Sequence, residues 1–208
     1  MTRVVLATHN THKVAELRQI LAGLPGLEGL EIVGAGEVGA PSPVEDGVSF
    51  AENALLKARA TAAATGLPAL ADDSGLAVDV LGGAPGIFSA RWAGGHGDDA
   101  ANLALLLDQL ADVRDEHRGA QFVCAAALVT PDGDEHVETG VLRGRLTRAP
   151  RGSGGFGYDP ILEPDAQPAR AQGRPLTSAE LTPQEKNAVS HRGHAFRAMA
   201  PHLARLLG

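Results

Sequence analysis

The chain has 208 residues, 44% of them hydrophobic and 21% charged, and 25 acidic against 18 basic side chains give a formal net charge of −7. This composition is that of a soluble globular protein, long enough for one well-buried domain or for two small lobes about a cleft. It argues against a stable nucleic acid partner or an anionic membrane surface, since both reward a positive field.

Arg3–Ala7 is a short apolar run without alternation, which suits a strand covered on both faces. The polar stretch from Thr8 to Lys13 follows. Val14, Leu17, Ile20 and Leu21 then recur at helical spacing until Gly23 and Gly26 stop the helix. Strand, polar turn, helix is an α/β opening. Ile32 and Val33 mark a second strand, and Ser49 with Glu52 forms a capping box for a helix carrying Phe50, Ala54, Leu55, Ala58 and Ala62 on one stripe.

Leu67–Ala71 reads as a strand leading into Asp72-Asp73-Ser74-Gly75, and Leu76–Leu81 as a further strand. A glycine-rich loop spans 82–97. Asp98 or Asp99 caps a helix with Leu103, Leu106, Leu107 and Leu110 inward. Gln121–Thr130 is a strand, 131–134 a hairpin-like turn, and Glu135–Arg148 holds one or two further strands. Residues 163–178 have no apolar period and read as a flexible surface loop. Thr182-Pro183-Gln184-Glu185 starts a short helix, and a last one carries Met199, Leu203 and Leu206. With no repeat and no long linker, residues 1–208 read as a single α/β domain. The first residues lack a signal-peptide layout, no apolar run approaches the ~20 residues of a membrane span, and the cytoplasm is the expected compartment. The sole cysteine, Cys124, sits in an apolar run and reads as packing.

Several short segments can carry chemistry. Gly152-Ser153-Gly154-Gly155-Phe156-Gly157-Tyr158-Asp159-Pro160 places two rings among four glycines in a chain that is only 3% aromatic. Glycine lets backbone approach a flat ligand closely, so a planar ligand is expected there. Thr8, Asn10 and Lys13 follow a buried strand and open a helix, where free N–H groups attract phosphate. The Gly-Lys-Ser/Thr ending of a P-loop is missing, and capping with a solvated lysine explains the same residues. Glu45-Asp46 and Asp72-Asp73 offer hard oxygen ligands for Mg²⁺ or a base for water, or else act as turn acids. Strand alternation allows one of Asp72 and Asp73 on each face unless the backbone turns. Lys57 lies one helical turn after Asn53, on the same face. Ser190-His191-Arg192 interrupts a helix beside Lys186 and suits bonding to a ligand edge. It lacks the Gly-x-Ser-x-Gly elbow of a serine hydrolase. Together these segments fit a nucleotide whose phosphate chain is attacked by water.

The ordered set Leu6-Ala7-Thr8-x-Asn10-x-x-Lys13, Phe50-x-Glu52-Asn53-Ala54-x-x-Lys57-Ala58, Ala71–Leu76 running on to Gly82–Ile87, Ser89-Ala90-Arg91, Gly154–Ile161 and Ser190-His191-Arg192-Gly193 resembles the inosine triphosphate pyrophosphatase family. It covers nearly the whole chain. The resemblance implies an α/β fold: a long twisted mixed β-sheet flanked by helices, in two lobes around a central active-site cleft. It implies hydrolysis of ITP, dITP and XTP to the monophosphate and diphosphate with Mg²⁺, in a homodimer. By the same resemblance Thr8, Asn10, Lys13 and Lys57 hold phosphates, Glu45 and Asp73 associate with metal, and Asp73 orients or deprotonates water. Ser74, Gly157 and Tyr158 join the substrate site, and Phe156 stacks on the base. Asp159, Lys186, His191 and Arg192 meet the base edge or the adjoining phosphate and sugar. A nucleotide-binding module without turnover is the alternative, and it leaves Glu45 and Asp73 without a task. His9, Trp92, Leu162 and the long 163–178 segment depart from the family pattern.

Overall fold

A computed structural model of the chain describes all residues except Met1, Asn10, Gly23 and Gly208, and the side chains of Thr11 and His12 lie outside the description as well. The strands are β1 (Thr2–Leu6), β2 (Leu30–Gly34), β3 (Ala69–Val78), β4 (Gly119–Val129), β5 (Glu135–Leu146) and β6 (Leu162–Pro164). The helices are α1 (Thr11–Leu21), α2 (Phe50–Thr65), α3 (Asp99–Gln109), α4 (Pro183–Val189) and α5 (His191–Arg205). One sheet runs in the order β2-β1-β3-β4-β5-β6. β1 pairs parallel with β2 and β3, whereas β6 pairs antiparallel with β5, so the sheet is mixed as expected.

The chain divides into two compact units, the first made of residues 1–73, 124–140 and 192–208 and the second of 74–123 and 141–191. In the first unit a core of Val4, Leu6, Leu17, Leu70, Cys124, Leu128, Phe196 and Met199 gathers α1 and α5 on the sheet. A separate layer is almost all alanine: Ala54, Ala58 and Ala62 of α2 meet Ala69, Ala71, Ala125 and Ala127 of β3 and β4. Small side chains let the helix lie close to the strands, which brings the polar residues beside that stripe near the acids of β3. Ser49 caps α2 by accepting from the Glu52 N–H, and Gly66 ends it at φ 65, a left-handed conformation that glycine adopts without strain.

The second unit packs Leu76, Leu106, Leu110, Phe122, Leu142, Leu146, Tyr158 and Ile161 together. Arg118 is buried beside it. Its guanidinium donates to the carbonyls of Leu110 (2.7 Å), Leu146 (3.0 Å) and Thr147 (2.8 Å).

Three expectations change. The two strands read on either side of Asp72–Gly75 are one ten-residue strand, β3. Gly75 continues it because a Cβ there would lie 2.5 Å from the Gly86 carbonyl oxygen and 2.4 Å from Ser89 Oγ; the glycine marks a close approach, not a break. The glycine-rich stretch 82–97 contains a 3-10 turn over Gly86–Arg91. Residues 163–178 are tied down rather than loose. The Gln167 amide donates to the Pro164 (2.7 Å) and Leu176 (3.0 Å) carbonyls and accepts from the Leu176 N–H (2.9 Å), and Arg170 and Arg174 pair with Glu185 and Glu180. Side-chain hydrogen bonds of this kind leave no apolar period to detect.

Candidate active site

In the first unit the polar residues form two linked groups. The outer one is built on α2 and β3. Lys57 Nζ lies 3.1 Å from Glu45 Oε1 and 3.5 Å from Asp73 Oδ1. Asn53, one turn before Lys57, donates from Nδ2 to Asp73 Oδ2 at 3.1 Å and accepts from the Gly47 N–H at 2.9 Å. The same asparagine therefore orients Asp73 and holds the loop that carries Glu45. Gly47 is needed at that point, since a Cβ would fall 2.7 Å from Asn53 Oδ1.

The inner group centres on Asp72, buried on the other face of β3. Lys13 Nζ lies 3.2 Å from its Oδ2, and Arg192 donates to the same oxygen from Nε (3.2 Å) and Nη2 (3.1 Å). Arg192 Nη1 donates to Glu16 at 2.9 Å. Burial pushes the Asp72 carboxyl up, but the fields of Lys13, Arg192 and Lys57 outweigh it and hold the group well below the usual carboxylate range. For Asp73 the balance goes the other way. Burial, with Glu45 and Asp72 nearby, raises its carboxyl despite Lys57 and the Asn53 bond. Adjacent acids thus sit in opposite fields: Asp72 is held as an anion, and Asp73 is the more basic one.

Thr8 lies two residues past β1, half-buried, with its carbonyl accepting from the Ala35 N–H at 3.2 Å. Asn10 lies outside the described residues. Ser74 continues β3, half-buried.

The second unit holds the other group. Asp159 is buried, and its Oδ2 accepts from the Phe156 N–H (2.8 Å) and from Lys186 Nζ (2.5 Å). Lys186 Nζ also lies 5.2 Å from the centre of the Phe156 ring. That ring is 58% exposed, an open flat face beside a cation. Gly155, at φ 75, makes room for this arrangement, because a Cβ would sit 2.1 Å from Asp159 Oδ2. Gly157 donates to Asp99 Oδ2 at 2.7 Å. Tyr158 is buried behind the loop and donates to the Ser89 carbonyl at 3.0 Å; burial, with the charge of Asp99, raises its phenol. His191 is buried and stacks on Phe122 with ring centroids 5.0 Å apart.

Two residues that the sequence reading did not assign to the site matter here. Glu16 completes the Arg192 pair, and only the fold brings it there. Asp99 was legible as a helix cap, but Asp98 takes that role by accepting from the Ala101 N–H at 2.9 Å. Cys124 is fully buried, and burial pushes its thiol up, consistent with packing rather than reactivity.

Glu45 and Asp73 present oxygens to one ammonium, and such a donor pair fits Mg²⁺, which takes one or two carboxylates with phosphate and water completing its shell. Among the described residues no group of three or more His, Cys, Asp or Glu side chains is placed to hold a metal. Nor is any described helix long and apolar enough to cross a membrane.

The model of the Ham1 family matches residues 4–202. A Streptomyces coelicolor protein named dITP/XTP pyrophosphatase is 63% identical over the full length of both chains. The solved structure of a HAM1 protein from Coxiella burnetii superposes with a TM-score of 0.85 at 41% identity, covering 99% of this chain and 100% of that one. A Mycobacterium abscessus nucleoside-triphosphatase / dITP/XTP pyrophosphatase gives 0.76 at 51% identity, covering 97% and 99%.

Proposed function

The chain belongs to the Ham1 family, and from that premise we propose that it hydrolyses the deaminated purine nucleotides ITP, dITP and XTP to the monophosphate and diphosphate, clearing them from the nucleotide pool. The observation that carries this reading is the convergence of Glu45 and Asp73 on Lys57, with Asn53 holding Asp73. The names of the full-length relatives point to the same reaction.

In the first unit Thr8, Lys13 and Lys57 bind phosphate oxygens. Glu45 and Asp73 would hold Mg²⁺, which when bound offsets the charge of the triphosphate and polarises its phosphoryl oxygen. Asp73, held by Asn53, orients water and takes its proton. The water oxygen joins phosphorus as the link between the α- and β-phosphates breaks, and the bridging oxygen leaves on diphosphate. Asp72 stays ionised and, with Arg192 and Glu16, fixes the strand beneath.

The second unit carries the residues that meet the purine. Phe156 stacks on the purine, and Lys186 places a donor beside that ring. A position-6 oxygen accepts from such a donor, whereas adenine offers an amino group there and leaves it unmatched, costing about 1–3 kcal/mol, or roughly ten- to hundred-fold. Dependence on Mg²⁺, a cytoplasmic location and a homodimer belong to the same proposal.

Anion-exchange separation of products from ITP, dITP, XTP, GTP and ATP with Mg²⁺ tests it. Diphosphate from the first three in preference to ATP is expected. Stepwise orthophosphate release overturns the cleavage, and binding without turnover at any Mg²⁺ concentration leaves a nucleotide-binding module. Sedimentation equilibrium checks the assembly, with twice 21.4 kDa expected.

A further inference from the structure

Phe156 has an exposed ring, so packing does not aim it. Its direction comes from the backbone around it, and that backbone is permissive: Gly152, Gly155 and Gly157 all have positive φ, at 80, 75 and 59. A loop this permissive must be held from outside. Asp159 holds the Phe156 N–H, but it lies three residues on and shares the same oxygen with Lys186. Gly154 is held by the Ala179 carbonyl at 3.0 Å. The next peptide group, the Gly157 N–H, donates to Asp99 at 2.7 Å, and Asp99 belongs to α3, 58 residues away in sequence. Because Asp98 caps α3, the Asp99 carboxylate is spare for this contact. On the following residue Tyr158 is anchored to Ser89, so the backbone just after the ring is gripped at successive positions.

We propose that Asp99 is a positioning residue for base recognition, tethering the Gly157 amide so that Phe156 presents its face to the purine. The assignment rests on the pyrophosphatase reading for its kinetic consequence, though not for the tether. The bond is exposed and charge-assisted, so its loss is expected to be modest: about a five- to ten-fold rise in KM for ITP, with kcat within about two-fold. A merely structural role predicts no such division.

The experiment compares Asp99→Ala and Asp99→Asn, alone and combined with Phe156→Ala, in the full-length protein. Asp99→Ala is expected to raise KM, and Asp99→Asn, which keeps an acceptor oxygen, to restore most of the wild-type value. In the Phe156→Ala background Asp99→Ala is expected to add almost nothing, since the residue it positions is gone. Emission of the single tryptophan, Trp92, reports whether the second unit remains folded. Amide hydrogen exchange over 152–158 reads the tether without catalysis, and faster exchange is expected in Asp99→Ala but not Asp99→Asn. Unchanged exchange overturns the tether. An unchanged KM, or an equal loss with and without Phe156, overturns its role in recognition. Wild-type protein that releases no diphosphate from ITP overturns the pyrophosphatase reading and with it the kinetic role, while the exchange result still decides the tether.

Discussion

Asp72 and Asp73 are neighbours in sequence and opposites in environment, because β3 carries them to different faces. Asp72 faces cations that keep it charged, while burial, with Glu45 and Asp72 nearby, makes Asp73 the more basic despite Lys57 and the Asn53 amide. Replacing Asp73 by Asn keeps the shape and removes the base. Asp73→Asn is expected to lower kcat on ITP by about 10²- to 10⁴-fold, read as diphosphate release, with nucleotide binding partly kept. For Phe156 the proposed role is stacking by its exposed face. Phe156→Ala is expected to raise KM for ITP about ten- to hundred-fold, the usual loss for a base-stacking ring, without altering the melting temperature, since the ring is 58% exposed.

At the scale of elements, α2 lies on a bed of alanines, and this sets the distance from Lys57 and Asn53 to Asp73. Ala58→Leu would force the helix outward. It is expected to cost about 1–3 kcal/mol of stability in urea denaturation and also to lower kcat, although Ala58 touches no substrate. Arg118 joins the end of α3 to the end of β5 through three carbonyls, at the helix terminus where a cation is favoured. With Arg118→Met all three carbonyls lose the guanidinium, although that of Leu110 keeps the Val113 N–H. A loss of about 1–3 kcal/mol is expected, followed through Trp92 emission in urea.

For the whole molecule, acid stability is the readout that integrates the buried charges. The Asp72 carboxyl is depressed in the folded chain relative to about 3.9 unfolded, so its contribution is complete above about pH 5 and is lost as pH falls from about 4 downward. Asp72→Asn is expected to be less stable at pH 7, by about 3–5 kcal/mol, because Arg192 keeps its burial and loses a partner. Its stability is also expected to fall less steeply in acid, as measured by circular dichroism in urea from pH 3 to 7. Local signals were enough for much of the fold: the apolar run of β1, the periodicity of α2 with its Ser49 cap, and the Thr182–Glu185 start of α4 each depend on residues within a turn or two. The ordered motifs likewise made the family legible from the sequence alone. What only the tertiary structure decided was pairing through space. β3 runs straight through an acidic, glycine-containing stretch because its partners hold it. Arg192 meets Asp72 and Glu16 across 120 and 176 residues, and Asp99 reaches the glycine loop across 58. Periodicity and caps are properties of adjacent residues, whereas the partner of a buried charge is chosen by which elements the core brings together.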